Sequence, residues 1–130
     1  MSEKTVFQKI IDRELPAYIL YEDDFFIVFL DAFPASKGHS LVVPKKVYRW
    51  VWDVEPYAEY MRLARALARA QQKAFQTDMI FMDVRGDEVP HAHIHVRPVL
   101  PKDGTEIDFE SIADTLRDAL EKEIAKEFSL

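Results

Sequence analysis

Apolar residues along the chain fall into short blocks and two long periodic stretches. Phe7, Ile10 and Ile11 share one side of a helical turn, which predicts a short helix over Val6–Arg13 that Pro16 ends. Tyr18–Tyr21, Phe25–Leu30 and Ser40–Val43 are rich in β-branched and aromatic residues and are bounded by Glu22-Asp23-Asp24, by Pro34 to Gly38 and by Pro44. They predict three successive antiparallel strands in a meander. From Asp53 to about Gln76, Tyr57, Met61, Ala64, Leu67, Ala68, Ala74 and Phe75 recur at helical spacing, while Arg62, Arg65, Arg69 and Lys73 occupy another face. This stretch is the predicted long central helix. Met79–Val84 and His91–Val96 read as a fourth and fifth strand around a turn at Gly86. The stripe of Phe109, Ile112, Leu116, Leu120 and Ile124 predicts a last helix over Asp108–Phe128. Strands, a helix, strands again and a terminal helix predict an α+β domain.

Composition narrows the chemistry. A chain of 130 residues with 48% apolar side chains suits one domain with a real core, expected to span residues 1–130. The absence of cysteine excludes disulfides, thiolate nucleophiles and Cys-ligated zinc. Charged residues fill the N-terminus, where a signal peptide would be apolar, and no stretch approaches a membrane span, so a soluble cytoplasmic protein is expected. The net charge of −6 is unevenly spread: residues 1–100 sum to −1 and residues 101–130 to −5. An acidic surface disfavours nucleic acid as a partner, whereas the nearly neutral first hundred residues leave room for a small anionic ligand.

Three of the four histidines lie in His91-Ala92-His93-Ile94-His95. On a strand, His91, His93, His95 and Arg97 would project to one side while Ala92, Ile94 and Val96 enter the core. Imidazole titrates near neutrality and serves as nucleophile, base or acid, so three on rigid backbone can divide those roles. Exposed histidines on an edge strand, or a zinc ion held by a His-x-His pair with His39, are the rival readings, although no HExxH pattern accompanies them. His39 follows Gly38, which permits a tight turn at the start of the third strand, and it becomes a candidate hydrogen-bonding partner of the triad.

HAHIHVR resembles the signature of the histidine triad (HIT) family of nucleotide-binding proteins, in which three histidines alternate with apolar residues. FQKIIDRELPAYILYEDDFFIVFLD and KGHSLVVPKK resemble the family's opening helix with its first strands and its glycine-histidine strand, so the likeness covers about residues 6–100 and leaves residues 101–130 as an acidic helical extension. The resemblance implies a five-stranded antiparallel sheet, a homodimer, and a purine nucleoside monophosphate or nucleotide conjugate as ligand. It implies cleavage of nucleoside 5′-phosphoramidates or related conjugates at the α-phosphorus through a nucleotidyl-histidine intermediate, with no metal or cofactor. Carried over by position, His93 would be the nucleophile, His95 would assist the leaving group, His91 would position phosphate and triad, and His39 would support them. Val6, Phe7, Ile10, Phe29 and Leu41 would line an apolar slot for the purine, and Asp31 would accept bonds from the ribose hydroxyls. Read as residues alone, Phe29 and Leu41 serve equally as core, and Asp31 as the start of a turn.

Asp87 stands where the family commonly has Gln, and Glu88 where a small polar residue is frequent. Both fall beside the expected phosphate position and complete the nucleotide-binding set. Carboxylates there repel a polyphosphate, which favours a smaller or cationic leaving group such as an amine over a dinucleoside polyphosphate. They also motivate an alternative, a nucleotide-binding module with little catalysis. Arg97 replaces an apolar residue of the signature and suits either a phosphate or an acidic side chain. Trp50 and Trp52 match no motif and read as packing or interface residues.

Overall fold

A computed structural model describes residues 3–129. The order of elements is α1 (Val6–Ile11), β1 (Ile19–Glu22), β2 (Phe26–Leu30), β3 (Ser40–Pro44), a 3₁₀ turn (Val51–Asp53), α2 (Tyr57–Phe75), β4 (Ile80–Val84), β5 (Ile94–Pro98) and α3 (Phe109–Glu127). The five strands form one antiparallel sheet in the order β1-β2-β3-β5-β4. The first three make the expected meander. Helix α2 then crosses the sheet, and the β4–β5 hairpin returns with β5 inside and β4 at the edge. Among the described residues no helix is long and apolar enough to cross a membrane.

Helix α2 begins at Tyr57, after the 3₁₀ turn, rather than at the expected Asp53, and two further boundaries move for identifiable reasons. Helix α1 starts at a capping box in which Thr5 Oγ1 accepts from the Gln8 N–H (3.2 Å) and Gln8 Oε1 accepts from the Thr5 N–H (2.9 Å). It stops at Ile11, ahead of the expected Arg13, because Arg13 turns left-handed (φ 65°) and well before Pro16. Strand β5 begins at Ile94 rather than His91. Its last partner on β3 is Val42, opposite Ile94, and further pairing would reach Pro44, which has no N–H to give. Strand pairing therefore ends, the Ala92 N–H bonds the Tyr48 carbonyl (2.7 Å) instead, and His91 and His93 precede the strand.

One face of the sheet carries α2 and α3 over the main core, where Leu63, Leu67, Leu116 and Leu120 are almost fully buried, each worth roughly 1.5–3 kcal/mol by removal from water. Two of the nine C-terminal acidic residues are spent here. Glu127 is buried against Arg62, Arg65 and Arg69, and Glu123 against Lys73 (2.6 Å), so the basic face of α2 docks α3. The other face carries a smaller cluster, Phe7, Ile10, Ile27, Phe29, Leu41 and Val43, under α1. The histidines lie beside this cluster.

Candidate active site

Hydrogen bonds fix the tautomer of each histidine. His93 Nδ1 lies 2.7 Å from the His91 carbonyl, which can only accept, so Nδ1 carries the proton and Nε2 keeps its lone pair. The ring is buried, with the Phe7 ring edge-on at 4.8 Å. The Ala35 N–H donates to His39 Nδ1 (3.0 Å), so the proton of His39 sits on Nε2 and is donated to His95 Nδ1 (2.9 Å). His95 therefore carries its own proton on Nε2. The two rings lie 4.9 Å apart and both line the same cavity, one with a bare nitrogen and the other with an N–H.

Burial pushes the His93 pKa below the usual imidazole value and, reinforced by His93 and His39, pushes that of His95 down to about 4. His39 is lowered by burial against the opposing pull of Asp31. All three are neutral at pH 7. His91 stays on the side of the other two, with the Phe7 ring edge-on to both His91 (6.1 Å) and His93, but it is fully buried, and its Nε2–H donates to the Pro44 carbonyl (2.7 Å). It ties the triad segment to the end of β3, and its Nδ1 has no partner among the described residues.

Asp31, His39 and His95 bring three possible metal-ligand atoms within 4.8 Å of one another. Their separations of 2.9, 3.5 and 3.9 Å bracket the roughly 3.3 Å spacing of tetrahedral zinc ligands at about 2.0–2.1 Å from the ion. The tautomers do not fit: the Ala35 N–H on Nδ1 puts a proton on the His39 nitrogen that a metal would need. The trio is wired as a hydrogen-bond relay. The zinc set suggested by sequence, His39 with a His-x-His pair, is not assembled among the described residues: the ligand atoms that converge are those of Asp31, His39 and His95, without His91 or His93.

Every other residue singled out by resemblance falls around two adjoining cavities. The larger, about 550 Å³, is lined by Val6, Phe7, Ile10, Phe29, Asp31 and Leu41. The smaller, about 260 Å³, shares Val6, Phe7, Asp31 and Leu41 and adds Asp87, Glu88, His93 and His95. Asp31 stands at the junction, its Oδ1 accepting from the Phe33 N–H (2.9 Å) and its Oδ2 facing His39 and His95.

The carboxylates of Asp87 and Glu88 have cationic company that the sequence reading missed. Arg85 lines the smaller cavity, and Arg49 donates to the Gly86 carbonyl (2.7 Å) while stacking on Trp50, whose ring is stacked on Trp52. A Cβ at Gly86 would lie 2.6 Å from the Trp50 ring, so only glycine lets this loop sit so close. Tyr18 and Phe109, stacked at 5.6 Å, were missed as well and extend the apolar cavity from beyond the triad region. Strand alternation of Phe81, Asp83 and Arg85 opposite His95 and Arg97 could have revealed Arg85; Phe109 gives no signal beyond its place in an apolar stripe.

The HIT domain family matches residues 12–103. The chain belongs to the HIT family. It is 35% identical over 126 residues to a HIT-like protein of Methanocaldococcus jannaschii, covering 92% of this chain and 97% of the relative. It is 35% identical over 112 residues to the purine nucleoside phosphoramidase of Escherichia coli K12, covering 78% and 94%. Among solved structures, a HIT-like protein from Bartonella henselae superposes with a TM-score of 0.78 at 29% identity, covering 92% of this chain and 98% of that one. A zinc-bound histidine triad protein from Mycobacterium smegmatis gives 0.78 at 28%, covering 93% and 96%. The five-stranded antiparallel sheet with short, central and C-terminal helices is the HIT fold. Helix α3, with Phe109, lies beyond the matched residues.

Proposed function

We propose that this HIT protein hydrolyses purine nucleoside 5′-phosphoramidates, or closely related nucleotide conjugates, at the α-phosphorus. The observation that carries the reading is the opposed tautomers of His93 and His95 over one cavity. The name of the Escherichia coli relative supplies the substrate class. The apolar cavity suits a purine between Phe7, Phe29 and Leu41, with Asp31 placed for the ribose hydroxyls.

In the first step the His93 Nε2 lone pair attacks phosphorus and the P–N bond breaks. The leaving nitrogen takes a proton from His95 and departs as a neutral amine. His95 is neutral in the free protein, but the negative charge of a bound phosphoryl group favours its protonated form, in which Nδ1 gains a proton and the His39 Nε2–H turns from it to the Asp31 carboxylate, 3.5 Å from His39 Nε2 and 3.9 Å from His95 Nδ1. In the second step water attacks the phosphorus of nucleotidyl-His93, His95 takes its proton, and His93 Nε2 recovers its lone pair. Splitting one displacement into two leaves the protein chiefly the work of placement.

Replacing His93 by Ala should lower kcat/KM for an adenosine phosphoramidate by about a thousandfold or more while AMP still binds. Full activity in His93→Ala would refute the mechanism. A nucleotide-binding module without catalysis is the second reading, favoured by the exposed carboxylates of Asp87 and Glu88 in the phosphate cavity. It predicts calorimetric AMP binding with no turnover of any phosphoramidate.

A further inference from the structure

His95 and Arg97 lie on the same face of β5, between the buried Ile94, Val96 and Pro98. Both line a third cavity, about 290 Å³, together with Asp31, His39, Asp83, Arg85 and Glu88. Within it Asp83 pairs with Arg85 (3.4 Å), and Asp31 faces His39 and His95. The Arg97 guanidinium joins none of these pairs: it lies over the ring of Phe81, its cross-strand neighbour, 4.8 Å from the centroid. That contact holds a cation in place while leaving its N–H groups unspent.

Arg97 and Ala35 also line a fourth cavity, about 730 Å³, beside Phe75 and Leu100. Its charged lining is Arg97, Lys37 and Lys102 against a single carboxylate, Asp103, which is taken by Lys37 (3.2 Å). A path thus runs from the leaving-group side of His95, past Glu88, over Arg97 and into a cavity with uncompensated positive charge. Residues two apart on a strand are separated by roughly 7 Å, so a leaving group that reaches from His95 to Arg97 needs a chain of a few bonds between its nitrogen and its anionic end.

We infer that Arg97, with Lys102 behind it, selects a leaving group that carries an oxyanion, a carboxylate or a phosphate, a few bonds from the amine released at His95. Glu88 then stands near the amine end, which becomes cationic only once the released amine takes a further proton from solvent, and Arg97 at the anionic end. This inference rests on the phosphoramidase reading and refines it.

Three adenosine 5′-phosphoramidates, made from 4-aminobutyrate, its neutral isostere 4-aminobutyramide, and 3-aminopropylphosphonate, test it by their kcat/KM values. The wild-type protein should favour the carboxylate or the phosphonate over the neutral amide by roughly tenfold to a hundredfold, as expected for a charge-assisted bond. Preference between the two anions identifies the source. Arg97→Met should bring the ratio near one, Arg97→Lys should keep part of it, and Lys102→Met, at an exposed position, should reduce it. Because each ratio is internal to one protein, a general loss of activity does not imitate the effect. Equal rates on all three substrates in the wild-type protein, or an unchanged ratio in Arg97→Met, would overturn the inference and leave the hydrolase reading standing. Hydrolysis of none of them would overturn the hydrolase reading and this inference with it.

Discussion

Gln71 offers a demanding test of how the fold holds its histidines. Its side chain, on α2, is fully buried, and its Nε2 donates to the Gly38 carbonyl (3.0 Å) and to the Val96 carbonyl (2.9 Å). One bond secures the residue before His39, the other the residue after His95. Two acceptors at these distances require the amide nitrogen, which leaves Oε1 buried without a partner. Gln71→Leu removes two bonds worth about 0.5–1.5 kcal/mol each. Gly38 O keeps the Ser40 hydroxyl (2.7 Å), and removal of the orphaned Oε1 returns part of the loss. A net destabilisation of about 1–2 kcal/mol follows. Gln71→Glu should do worse, because it aims a carboxylate at two carbonyl oxygens. Equilibrium unfolding in urea measures both. The expected order of stability is wild type, then Leu, then Glu, with kcat for a phosphoramidate falling in the same order as the His39–His95 contact loosens. A Leu variant as stable as the wild type would show that this clamp does not hold the site.

Acid should destabilise the protein through its buried imidazoles. His91 and His93 have folded-state pKa values below 6.5 because burial penalises their charged forms. Below about pH 6.5 the unfolded chain therefore binds more protons than the folded one, and stability falls by up to about 1.4 kcal/mol per pH unit per group until the pH passes the lowered value. Urea midpoints between pH 8 and pH 5 test this, and a midpoint that stays flat below pH 6.5 contradicts it. Phe109→Ala, which removes the ring stacked on Tyr18 at the cavity wall, should weaken AMP binding roughly twofold to tenfold by calorimetry. Unchanged affinity would exclude α3 from the binding site.

Much of this organisation was legible in the sequence because it rests on local patterns. The stripe of α3, the β-branched blocks of β2 and β3 and the alternation of His95 with Arg97 each survive as read, whereas α2 buries Tyr60, Leu63, Ala70 and Gln71 beside the expected Ala64 and Leu67 and leaves Tyr57 exposed. What stayed hidden depends on partners distant in the chain. The loss of pairing that frees His91 and His93 from β5 comes from Pro44 on the neighbouring strand, and the burial of His91 follows from its bond to that same residue. Nothing local to HAHIH reports either. The charge split was read correctly but not its use: Glu123 and Glu127 belong to the docking of α3 on α2. Asp87 and Glu88 were likewise read without Arg85, which lines the same cavity, and without Arg49, which only the folded β4–β5 loop brings to the Gly86 carbonyl.

The central claim is that His93 Nε2 forms a bond to phosphorus. Acid quenching during turnover of a labelled adenosine phosphoramidate, followed by digestion and peptide mass analysis under conditions that preserve phosphoramidate bonds, tests it directly. The account predicts one nucleotidyl group on the peptide containing His93, absent from His93→Ala. Rapid turnover with no label on any peptide, or label that persists in His93→Ala, would contradict it.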